Sequence, residues 1–110
     1  MLSQEQIENI KDLAAQWLLQ KRHASEEMQL IRHRFPKAII EDEQGCDPDR
    51  RLVFLDLMSG PGDTYARTSA SYEAVDYVLR ILGYNMDYRF DADKGEYIVR
   101  IEKMRDESDG

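Results

Sequence analysis

Residues 69–104 read SASYEAVDYVLRILGYNMDYRFDADKGEYIVRIEKM, and each local signal in this stretch agrees with the next. Tyr72, Val75, Val78, Leu79 and Leu82 recur at helical spacing, and Ala74, Tyr77 and Ile81 widen the apolar face. Gly83 supplies a stop, because glycine takes a left-handed position at a helix end without a Cβ penalty. Strict alternation follows: Met86, Tyr88, Phe90 and Ala92 point one way, and Asp87, Arg89 and Asp91 the other. Asp93-Lys94-Gly95-Glu96 is a turn, after which Tyr97, Val99 and Ile101 resume the apolar face. The pattern predicts a helix and a β-hairpin.

Opposed residues of an antiparallel pair share a face, so the loop must hold two or four residues to keep both apolar sets together. Pairing Asp93 with Glu96 sets Phe90 against Val99 and Tyr88 against Ile101. That register also sets Arg89 against Arg100, a mildly repulsive pair.

Working back from this stretch, the N-terminal segment is a helix opened by a capping box, with Ser3 as N-cap and Gln6 three residues on. It runs to Phe35, since Pro36 forbids continuation. Ile7, Ile10, Ala14, Trp17, Lys21, Ala24, Met28, Ile31 and Phe35 form a seam of alternating three- and four-residue spacing, with Lys21 the polar entry. A helix of roughly 31 residues spans about 46 Å. A break near His23-Ala24-Ser25, with Ser25 capping a second helix, is the alternative, but no glycine or proline marks one. A continuous helix outreaches a compact domain of radius of gyration near 13 Å, so its seam is expected to be buried on another protein surface.

Between the two lie Lys37 to Asp42, a short strand by pattern, and Glu41 to Asp49, an acidic loop. Arg51 to Met58 holds Leu52-Val53-Phe54-Leu55, apolar on both faces, and reads as a central strand. Ser59 to Ser71 reads as a long polar connection, with a type II turn at Gly60-Pro61-Gly62-Asp63. The expected fold is α+β in the order α-β-β-α-β-β. It has a four-stranded, mainly antiparallel sheet of two hairpins with a second helix between them. Residues 1–104 form one domain, and 105–110 a frayed acidic tail.

Composition narrows the function class. The 110 residues carry a formal net charge of −7, which argues against broad binding to nucleic acid or anionic membranes. A single cysteine, Cys46, permits no internal disulfide and suits a reducing, cytoplasmic compartment. The first residues show no basic region or apolar run of a leader.

Candidate chemistry is sparse. Glu41, Asp42, Glu43, Asp47 and Asp49 offer oxygen ligands, but their spacing is not that of an EF-hand. His23 and His33 lie ten apart, off the spacing of a shared ligand face. Acidic neighbours oppose ionisation of Cys46, and no base is placed for it. Lys21, Arg22, Arg32, Arg34 and Lys37 form a basic stretch, with Arg22, Arg32 and Arg34 the possible anion contacts. Phe54 to Gly62 (FLDLMSGPG) resembles the first motif of Rossmann-type methyltransferases, a strand ending in an acidic residue and a glycine loop. The resemblance implies small-molecule binding at Gly60-Pro61-Gly62. It covers about nine residues, and no helix opens directly after the glycines.

These observations point to a non-enzymatic protein-interaction module without metal or cofactor, self-associating through the N-terminal helix as a homodimer or larger. Ile10, Trp17, Lys21, Met28 and Ile31 are its expected contact residues. Small acidic inhibitors from phages or mobile elements, and small secretion chaperones, share this size and charge.

Overall fold

The computed structural model describes residues 1–35 and 48–104. Among them are helices α1 (Gln4–Arg34) and α2 (Pro48–Ile81), then strands β1 (Tyr84–Asp91) and β2 (Glu96–Lys103). The order is therefore α-α-β-β with one two-stranded antiparallel sheet, and not the expected four-stranded sheet in α-β-β-α-β-β order. The expected strand at Lys37 to Asp42 falls outside the described residues, as do most of the acidic loop, Cys46 and the tail. The expected strand at Arg51 to Met58 and the connection at Ser59 to Ser71 are both helix.

The reason is a second seam. Phe54, Met58, Pro61, Tyr65, Thr68, Tyr72, Val75 and Leu79 alternate by four and three, the same rhythm that runs through α1. Four of these, Phe54, Pro61, Thr68 and Leu79, are buried. Gly60-Pro61-Gly62 interrupts the pattern to the eye but not in the fold. Neither glycine has positive φ, so the type II turn is absent. Three such residues inside a helix are roughly 5 kcal/mol less favourable than three alanines. The burial of the seam on either side offsets this.

The chain divides into two compact units, Met1–Leu19 with Ser69–Gly110, and Gln20–Thr68. In the first, Ala14 and Leu18 of α1 and Leu79 of α2 form a core with Tyr84, Met86, Val99 and Ile101 of the hairpin. Ile7, Ile10, Tyr72 and Val75 pack at its margin. In the second, Ile31 packs on Phe54, flanked by Phe35 and Met58, and the Phe35 and Phe54 rings lie 6.1 Å apart.

The polar entries of both seams are accommodated. Lys21 Nζ sits 5.0 Å from the centroid of the Tyr65 ring, a cation–π contact within the second unit. The Thr68 hydroxyl donates back to the carbonyls of Thr64 and Tyr65, at 2.7 and 3.2 Å.

Helix ends follow the sequence. Gln6 N–H donates to Ser3 Oγ at 3.1 Å, and Ser3 N–H to Gln6 Oε1 at 2.8 Å, closing the capping box. The α1 helix shows no break at His23 to Ser25. Gly83 closes α2 with φ 91°, and its N–H donates to Arg80 O at 3.1 Å, one of the two bonds of a Schellman stop.

The hairpin keeps the expected faces but shifts its register by two residues. Asp91 pairs with Glu96, Phe90 with Tyr97, Tyr88 with Val99 and Met86 with Ile101. Ala92 to Gly95 form a four-residue loop. Two forces choose this register over Asp93–Glu96. Asp91 Oδ1 accepts from the N–H groups of Asp93 and Lys94, which fixes the turn early. Arg100 then meets Asp87 at 2.9 Å instead of opposing Arg89.

Candidate interaction surface

The expected contact residues of α1 are mostly turned inward. Ile31 and Ala24 are buried, while Ile10, Trp17, Lys21 and Met28 are half-buried. The premise of an over-long helix beside a small sheet fails, because α2 matches α1 in length and each unit supplies cover for its own part of the seam.

Apolar surface is instead left open on α2. In the first unit Tyr77 and Ile81 are each 68% exposed, with Val78 and Leu82 about half exposed beside them. These four positions, one turn apart in pairs, make a stripe on the side of α2 that its seam does not use. Val78 and Leu82 also line a shallow groove of about 320 Å³ with Leu2, Ile10, Ala74 and Leu79, and every lining residue is apolar. In the second unit Leu52 is 66% exposed, and Val53, Leu55 and Leu57 are open as well. The run that reads as a doubly buried strand is a helical turn that buries Phe54 and leaves its neighbours outside.

Next to the first unit's core is an aromatic chain. Tyr72 meets Tyr88 edge-on at 5.6 Å, Tyr88 meets Tyr97 at 5.7 Å, and Tyr97 meets Phe90 at 4.9 Å. Burial, then the Asp76 carboxylate, then Tyr88 and Asp87, push the Tyr72 phenol up to about 12. One Asp76 oxygen binds Arg80 at 3.1 Å; the other, and Ser69 Oγ, find no protein partner among the described residues.

The possible anion contacts do not converge. Arg22 pairs with Glu26 at 3.2 Å. Arg32 and Arg34 occupy the last turn of α1 with His33, where cations complement the helix dipole. The Arg34 guanidinium lies 5.9 Å from the Phe35 ring centroid. His23 and His33 are exposed. The Phe54 to Gly62 stretch has neither the strand nor the turn of a glycine-loop site. No group of three or more metal-ligating side chains occurs among the described residues. No described helix is long and apolar enough to cross a membrane.

The exposed stripe escapes sequence reading because Tyr77, Val78, Ile81 and Leu82 look like core. The signal that separates them is the phase of the α2 seam, visible once Thr68 and Pro61 are admitted to it. No protein-family model, curated protein or solved structure matches the chain.

Proposed function

We propose that this chain is a non-enzymatic protein-interaction module, a small acidic adaptor or inhibitor that works as a homo-oligomer. One observation supports this above the rest: α2 carries exposed aliphatic and aromatic side chains in both units, over the seams already satisfied inside the chain. Contiguous apolar patches beyond a few hundred Å² are uncommon on monomers and mark surfaces meant to be covered. The net charge of −7 adds selectivity and steering toward a basic partner.

Two measurements test the reading. Light scattering across a concentration series is expected to give a mass above the 12.9 kDa of one chain; a strict monomer at high concentration removes self-association. Capture from the native host, with the intact chain and with Tyr77→Lys/Ile81→Lys, is expected to recover a protein that the variant loses. Equal recovery by both removes the α2 stripe as the binding surface.

A further inference from the structure

We infer that the second copy docks on the free edge of β1, in an antiparallel register centred on Tyr88, so that two hairpins join into one four-stranded sheet. The inference rests on the self-association part of the proposed function and assigns it a surface.

The hydrogen-bonding phase of the hairpin comes first. Met104 N–H donates to Gly83 O at 2.8 Å, so Gly83 and every second residue after it turn their main-chain groups toward β2. Asn85, Asp87 and Arg89 are thereby satisfied. Tyr84, Met86, Tyr88 and Phe90 turn theirs the other way. The sheet has two strands only among the described residues, so that outer edge has no strand partner. Asp87, Tyr88 and Arg89 are exposed along it and line a solvent-open depression of about 370 Å³ with Ile98 and Arg100. Such an edge is a template for another strand.

Side chains then select the occupant. A twofold axis at Tyr88 sets Tyr88 against Tyr88 of the second copy, Met86 against Phe90, and Asp87 against Arg89. Apolar meets apolar on the helix side, and opposite charges meet twice on the outer side. Arg89 makes no ion pair within the described chain, unlike Arg100, which Asp87 and Glu102 hold at 2.9 and 3.4 Å. Moving the axis to Asp87 or to Arg89 sets like charges against each other. The β2 edge is less self-complementary: an axis at Val99 opposes Glu96 and Glu102, and an axis at Arg100 opposes the two arginines. The Tyr88 register also brings the outward main-chain groups of Met86, Tyr88 and Phe90 face to face, for about six new hydrogen bonds.

The test combines mass with geometry. In a Cys46→Ser background, Tyr88→Cys is expected to form a disulfide-linked dimer on mild oxidation, and Lys94→Cys is not. In this register the two copies of residue 94 lie about 40 Å apart, twice six residues at ~3.4 Å each. Arg89→Glu is expected to weaken the dimer about tenfold by light scattering, since it opposes two pairs of carboxylates. Tyr88→Pro is expected to abolish it while keeping the hairpin's circular dichroism, because an outward edge position loses no internal bond. A dimer that ignores Arg89→Glu, or that links at residue 94 and not at 88, overturns the edge assignment and leaves self-association standing. A monomer under all conditions overturns both.

Discussion

Replacing Gly60 and Gly62 by alanine is expected to stabilise the protein. Both glycines lie inside α2 with no positive φ, and a Cβ built on either meets nothing within 4 Å. The substitution therefore adds no clash and removes the entropic cost of glycine in a helix, about 1 kcal/mol at each position. The two sites do not face one another on the helix, so the double variant gains roughly 2 kcal/mol. For a chain of this size that raises the melting temperature by about 8 °C. Pro61→Ala extends the test, because it restores an N–H toward the carbonyl of Leu57, against the loss of a buried ring. The assay is thermal and urea unfolding followed at 222 nm. A fall in melting temperature on Gly62→Ala refutes the reasoning. A glycine in the third position of a type II turn has positive φ, and alanine there costs about 1 kcal/mol or more. The sign alone separates helix from turn.

Gly83→Ala should act in the opposite sense, costing about 1 kcal/mol or more, because φ of 91° is left-handed and a Cβ is strained there; unfolding curves that do not move would deny the stop its role. Ile31→Ala should cost about 2–4 kcal/mol in urea denaturation, since Ile31 and Phe54 form the buried centre of the second unit, and a loss below 1 kcal/mol would show that this cluster holds nothing. Tyr72 gives a pH dependence: its proton is bound more tightly folded than unfolded, so stability is intact below pH 10 and falls as pH rises from 10 toward 12. Tyr72→Phe should flatten that slope in alkaline melts, and an unchanged slope assigns the loss to other groups.

Much of the local structure is legible because its signals are short-ranged. Ser3 with Gln6, the unbroken α1, Gly83, and the alternation from Met86 to Ile101 each predict their own geometry. The register of the hairpin needs more. Apolar alternation fixes its parity, but the two-residue offset is decided by the Asp91 side chain and by the attraction of Asp87 for Arg100. The first half of α2 is missed for a physical reason. A short apolar run such as Leu52 to Leu55 does not distinguish a buried strand from a helical turn by periodicity. Gly60-Pro61-Gly62 then argues for a turn on local grounds. Tertiary burial of Phe54 and Thr68 overrides that local preference. The interaction surface follows the same error, since residues assigned to two buried sheet faces become the outside of a helix.

The ammonium of Lys21 over the Tyr65 ring has one more effect. An uninterrupted greasy stripe lets neighbouring rods slide by a turn at little energetic penalty. A lone cation among alkyl groups has only one comfortable berth, so any slippage strands it against hydrocarbon. Swapping Lys21 for leucine is thus a way to make the molecule stickier and less certain of its own alignment, strength gained at the expense of a single answer.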